Sequence, residues 1–130
     1  IGMCDSLGYG LNTKAALLTY AIREIADLIQ AMGGKRQTAF ELAGLGDLIG
    51  TSLCHDSRNR TFGEHLGKNM TKEQAIKKVK QVVEGVGATE CLVRLAKKYK
   101  VSVPFAEMIY QCLESKKNPG KIFEAFLQKL

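Results

Sequence analysis

Apolar residues recur along most of this chain at steps of three and four, and no stretch keeps the strict alternation of a half-buried strand. The longest such run is "NTKAALLTYAIREIADLIQAMGG", with Asn12 or Thr13 able to cap its first turn and the Gly33–Gly34 pair to end it. Its apolar positions cover much of the circumference, the pattern of a central helix with others packed around it. "KRQTAFELAG" predicts a short helix stopped by Gly44, and "GDLIGTSL" predicts another with Asp47 near its start. "SRNRTFGEHLG" opens at Ser57 and sets Phe62 and Leu66 four apart on one face.

The second half continues in the same way. "TKEQAIKKV" begins with a capping box, Thr71 with Gln74 three residues on, and its buried stripe is Ala75, Ile76 and Val79. "KQVVEGVG" is the one segment that reads as extended. "ATECLVRLAKKY" predicts a helix burying Cys91, Leu92, Leu95, Ala96 and Tyr99. "PFAEMIYQCLES" puts Pro104 in a first turn, with Phe105, Met108, Ile109 and Cys112 at helical spacing. "NPGKIFEAFLQKL" has Asn118 as cap and Pro119 at the first helical position, and lines Ile122, Phe123, Phe126, Leu127 and Leu130 along one face. The expectation is an all-α fold, one compact multi-helix domain over residues 1–130, with short connections.

Composition narrows the class without naming it. A chain of 130 residues, 45% hydrophobic and 25% charged, can bury a core of its own. No apolar run is long enough to span a bilayer, and no signal-peptide pattern appears. The opening "IGMCDSLGYG" does not begin with Met and reads as a domain cut from a longer protein. Cys4, Cys54, Cys91 and Cys112 form no CxxC pair. With His55 and His65 they show no zinc-ligand spacing, so no metal is expected. Reduced cysteines acting as small core residues suit a cytoplasmic protein. The net charge of +6 is uneven: residues 1–50 hold four Lys/Arg against five Asp/Glu, leaving fifteen against eight, or +7, in residues 51–130. That half favours an anionic partner, or is a solvated basic surface.

The candidate chemistry gathers in "AGLGDLIGTSLCHDSRNR". Asp47 can accept a bond from a ligand hydroxyl, or bond free N–H groups at a helix start. Thr51 falls one turn later on the same face. If Ser57 opens a helix, its hydroxyl and the first N–H groups project together, Arg58 adds a planar fork of donors, and Asn59 can donate as well. The alternative is a serine cap followed by solvated side chains. In "VVEG", Glu84 could bond a ribose or amide of a cofactor, or stand as an exposed turn residue. Lys14 follows a glycine-rich turn but reads better as a first-turn or surface lysine. The glycines of "SLGYGLN" are wrongly spaced for a phosphate loop.

Four segments in order carry more than any one of them: "DSLGYGLNTKAALLT", "AGLGDLIGT", "SRNRTFGEHLG" and "QVVEG". Across nearly its whole length the chain resembles the C-terminal helical domain of NAD(P)-dependent glycerol-3-phosphate dehydrogenase, bacterial type. The resemblance implies a fold like the C-terminal domain of 6-phosphogluconate dehydrogenase-like enzymes. It also implies a partner, an N-terminal Rossmann domain of the same parent chain that binds NAD or NADP. The whole enzyme would interconvert dihydroxyacetone phosphate and sn-glycerol 3-phosphate, the backbone source for phospholipids.

Carried over residue by residue, the resemblance makes Asp47, Thr51, Ser57, Arg58 and Asn59 substrate-binding, and Arg58, Val82 and Glu84 cofactor-binding. The family's proton-donating lysine stands in a Lys-Asn pair placed upstream of Ile1. No catalytic residue is therefore expected within the chain, which alone should be inactive. Two departures from the family pattern, "DSLG" and "GLN", fall in the entry turn and leave the pocket residues untouched. A homodimer is a possible assembly. The rival reading is a free-standing basic helical module that binds nucleic acid; it accounts for the +7 half but not for "GLGDL".

Overall fold

The longest apolar run becomes the longest helix. The computed structural model describes residues 1–130 as eight α-helices joined by turns, with no strand. In order these are α1 (Gly2–Ser6), α2 (Leu11–Ala31), α3 (Asp47–Leu53), α4 (Arg58–Gly67), α5 (Lys72–Val79), α6 (Glu84–Tyr99), α7 (Pro104–Glu114) and α8 (Pro119–Leu127). Between α2 and α3 the chain makes a 3-10 turn, Arg36–Phe40, and a π-helical turn, Leu42–Gly46.

Three of the eight helices, α4, α5 and α8, start on a side-chain cap. The Thr71 hydroxyl accepts from the Gln74 N–H while the Gln74 side chain accepts from the Thr71 N–H, the full capping box. Asn118 accepts from the Lys121 N–H, with Pro119 behind it. Gly33, at φ +89°, stops α2, and the Gly34 N–H returns to the Ile29 carbonyl at 2.8 Å. At the other end of α2 the cap is Gly10, so Asn12 and Thr13 lie inside the first turn instead of capping it. A glycine serves there at a loss of only about a few tenths of a kcal/mol against asparagine.

The core runs through both halves. Met3, Cys4, Leu17, Phe62, Leu66, Met108 and Phe123 belong to one buried cluster, which α1, α2, α4, α7 and α8 close together. Ile22, Ala26 and Ala39 form a second cluster that seats the 3-10 turn on α2. Helices α1 and α4 approach closely at Gly2, where an added Cβ would lie 1.9 Å from the Arg60 carbonyl oxygen. Any side chain there would push α1 off α4.

Besides Cys54, four residues expected on buried helix stripes are exposed instead. The face of α6 that meets Val103 and Ala106 runs through Leu92, Val93 and Ala96, which turns Cys91 outward and leaves Tyr99 at the margin. Ile76 sits beside, not on, the buried line of α5, whose inner residue is Ala75. Leu130 lies beyond the end of α8.

One buried group follows from no pattern in the chain. Glu24, only 7% exposed, sends its carboxylate from the middle of α2 to the start of α7. There it accepts from the Phe105 N–H at 2.6 Å and the Ala106 N–H at 3.0 Å. Burial pushes this carboxyl up, and the two N–H bonds only partly reverse the shift. Pro104 has no N–H to offer, so these are the first donors of α7, and a carboxylate from another helix satisfies them.

Candidate functional site

The π-helical turn feeds α3 without a break. Gly46 is already helical at φ −61° and ψ −50°, and Asp47 makes no capping bond. The capping role open to Asp47 in the sequence is therefore not the one it has. Its Oδ1 instead receives the Thr51 hydroxyl one turn on, at 3.5 Å. Both side chains are exposed on the same face. Gly44 makes this turn possible, since a Cβ there would stand 2.1 Å from the Ala39 carbonyl oxygen. It sits inside the π turn and does not stop the preceding helix.

Helix α4 starts as the sequence predicts. The Ser57 hydroxyl accepts from the Arg60 N–H at 3.3 Å, which sets Arg58 and Asn59 at the first two helical positions. Their own N–H groups have no partner within the helix. Glu84 does not lie in an extended piece: it is the first residue of α6, and of the segment expected to be extended only Lys80 to Val83 stay out of helix. Its carboxylate is 3.9 Å from the Arg58 guanidinium, with both side chains largely in solvent. Asn59 reaches across from α4 to α6, its Oδ1 accepting from the Gly85 N–H at 2.9 Å.

These elements enclose one open hollow of about 750 Å³, lined by Asp47, Thr51, Ser57, Arg58, Asn59 and Glu84, with Leu42, Gly46, Gly50, Cys54 and Asp56. All five residues expected to bind substrate meet there, and so do two of the three expected on the cofactor side. Val82 is not in the lining; it stands 74% exposed just before the start of α6.

The two arginines of "SRNR" do different work. Residues two apart on a helix point to different sides, and Arg60 is turned inward. Its Nε and Nη2 donate to Asp5 Oδ2 at 3.0 and 2.9 Å, and its Nη1 donates to the Leu53 carbonyl at 2.9 Å. Lys14 is the second cation on Asp5 and is absent from the hollow. Partial burial pushes the Asp5 carboxyl up; Lys14 and Arg60 more than reverse that and hold it below the usual carboxylate value. This network ties the end of α3 and the start of α4 to α1, and so fixes the two walls of the hollow relative to each other.

The hollow is not a basic patch. Arg58 is its one cation, against the carboxylates of Asp47, Asp56 and Glu84. Part of the basic excess lies in the last turns of α5 and α6, as Lys77, Lys78, Lys97 and Lys98. There it complements the negative ends of those helices. Cys54 faces the hollow and Cys91 faces solvent, so only Cys4 and Cys112 are core residues as expected. Burial lifts the Cys112 thiol to about 12.

The family profile described as "NAD-dependent glycerol-3-phosphate dehydrogenase C-terminus" matches residues 1–124. The chain belongs to this family. The NAD(P)+ glycerol-3-phosphate dehydrogenase of Clostridium botulinum (strain Alaska E43) is 45% identical over 126 residues, 97% of this chain and 38% of that protein. The glycosomal NAD+ enzyme of Leishmania mexicana is 45% identical over 118 residues, 91% of this chain and 32% of its own. The crystal structure of glycerol-3-phosphate dehydrogenase from Coxiella burnetii superposes with a TM-score of 0.91 at 35% identity, over 98% of this chain and 39% of that one. The chain thus spans less than two fifths of the length of these relatives. None of its helices is long and apolar enough to cross a membrane.

Proposed function

We propose that this domain holds the three-carbon phosphate substrate of an NAD(P)-dependent glycerol-3-phosphate dehydrogenase. The enzyme interconverts dihydroxyacetone phosphate and sn-glycerol 3-phosphate. The observation that carries the reading is the convergence of Asp47, Thr51, Ser57, Arg58 and Asn59 on one open hollow. At one end stand donors: the Arg58 guanidinium, the Asn59 amide and the free N–H groups at the start of α4. They suit the oxygens of a phosphate monoester. At the other end Asp47 is an acceptor, suited to a substrate hydroxyl. Holding both ends orients the reacting carbon, and that orientation lowers the barrier to an encounter reaction.

A nicotinamide cofactor fits this chain only along an edge. No strand and glycine turn are present to cradle its diphosphate. Glu84 and Arg58 at the rim, with exposed Val82 beside them, leave a surface for a cofactor bound mainly by an N-terminal Rossmann domain. When bound, NAD(P) accepts or supplies the hydride. Within these residues no lysine lines the hollow to move the accompanying proton, and we assign that role to a lysine on the N-terminal side of Ile1. Four unpaired cysteines fit a reducing, cytoplasmic setting.

The test is NADH or NADPH oxidation with dihydroxyacetone phosphate. The domain alone is expected to show none. In the enzyme that contains it, Arg58→Ala is expected to raise KM for dihydroxyacetone phosphate by about tenfold to a hundredfold, the loss of a hydrogen bond to a charged group. Turnover by the domain alone, or an unchanged KM in the variant, would overturn the proposal. A salt titration excludes the nucleic-acid reading if binding weakens only shallowly as salt rises.

A further inference from the structure

We infer that Gly85 is a positioning residue for this site, fixing through its backbone N–H which end of the Asn59 amide faces the ligand. The inference rests on the substrate-binding reading of the hollow and deepens it. An N–H can be met only by the amide oxygen, never by the NH2 group. The 2.9 Å contact from Gly85 N to Asn59 Oδ1 therefore leaves the NH2 group as the free end. Asn59 then offers the hollow donors only, beside the donors of Arg58. A group that accepts and does not donate, such as an ionised phosphate oxygen, is what this end selects.

The residue type at position 85 is part of the device. A Cβ there would lie 2.7 Å from Asn59 Oδ1 and 3.0 Å from its Cγ. These atoms belong to the far end of a side chain, so an alanine would displace the amide and spare both helices. Position 85 is the second residue of α6, and alanine favours a helix over glycine. Substitution should therefore keep or raise thermal stability while disordering Asn59. A residue with a merely structural role would show the opposite coupling.

The experiment uses the full-length dehydrogenase with Gly85→Ala, Asn59→Ala, the double variant and Asn59→Asp. Gly85→Ala and Asn59→Ala are each expected to raise KM for dihydroxyacetone phosphate about tenfold with kcat little changed. The double variant should be no worse than Asn59→Ala, because Gly85 acts only through that side chain. Asn59→Asp keeps an acceptor for the Gly85 N–H but turns a carboxylate toward the phosphate, so it should not restore KM. Hydrogen exchange at the Gly85 amide, read by NMR, should quicken in Asn59→Ala and stay slow in Asn59→Asp. Additive effects in the double variant, rescue of KM by Asn59→Asp, or amide exchange indifferent to position 59 would each overturn the inference while the dehydrogenase stands. No turnover by the unaltered enzyme would instead overturn the functional reading itself, with the exchange measurement still reporting on the Gly85–Asn59 link.

Discussion

Arg58 and Arg60 are two positions apart, identical in chemistry, and should respond to alanine in opposite ways. Arg60 is 10% exposed and makes a two-pronged contact with Asp5 plus a bond to the Leu53 carbonyl. Removing one partner of a fully buried ion pair costs roughly 3–5 kcal/mol. Asp5 is 20% exposed and keeps Lys14, and the Leu53 carbonyl can be met by water, so about half of that loss is expected. Arg60→Ala should therefore lower stability by about 2 kcal/mol. Arg58 is 47% exposed and its one ion-pair contact is at 3.9 Å, a pair of the kind worth about 0–1 kcal/mol. Arg58→Ala should leave stability within about 0.5 kcal/mol. Urea denaturation of the chain reads both values, and steady-state kinetics of the enzyme reads the converse, a raised KM for Arg58→Ala. Should Arg58→Ala destabilise the fold more than Arg60→Ala does, the division of labour between the two arginines is wrong.

The remaining expectations concern a buried carboxylate and an exposed thiol. Glu24→Gln replaces one of two acceptors at the start of α7 with a donor, leaving a buried N–H unmet, and should cost about 1–3 kcal/mol in a denaturation midpoint at neutral pH. Because burial raises the Glu24 pKa above 4.5, the folded chain holds that proton more tightly than the unfolded chain. The stability difference between wild type and E24Q should therefore shrink as pH rises from 4.5 through the raised value; growth over that window would contradict the shift. Cys54 lines the hollow and is exposed, so a maleimide should inactivate the enzyme through it, substrate should slow the labelling, and Cys54→Ser should abolish the loss. Inactivation that persists in Cys54→Ser would place the sensitive thiol elsewhere.

The helices were legible because apolar spacing and caps act locally. Thr71 with Gln74, Ser57, Asn118 and Pro119 all cap or open a helix where their neighbours predicted. What lay hidden depends on contacts distant in sequence. Glu24 bonds residues 81 and 82 positions away, and nothing around it in α2 distinguishes it from a solvated glutamate. The π turn at Leu42–Gly46 has no periodic signature, so nothing local shows that Asp47, the first residue of α3, follows a turn already formed and makes no capping bond. Glu84 and Gly85 read as extended because glycines interrupt the apolar stripe. At one of those glycines, Gly85, a Cβ would crowd the Asn59 amide. The pair in "SRNR" does carry a local signal: its second arginine must face away from the first on any helix.

The charge of the hollow has a consequence for selectivity that net charge conceals. Three carboxylates and one guanidinium would repel a bare anion, and the basic excess lies in part at helix ends away from the site. On the function proposed above, selection comes from matching both ends of a ligand, with Asp47 admitting one that carries a hydroxyl as well as a phosphate. Asp47 has no structural bond beyond the 3.5 Å contact from Thr51, so Asp47→Asn should fold normally. It should lose about tenfold or more in kcat/KM for glycerol 3-phosphate, the worth of a hydrogen bond to a charged acceptor. Inhibition by inorganic phosphate should be unchanged or tighten slightly, since removing a carboxylate across solvent relieves a repulsion on the order of 0.5 kcal/mol. The two measurements should therefore move apart. A parallel loss of substrate and inorganic phosphate would mean that Asp47 shapes the hollow as a whole and does not read the hydroxyl end.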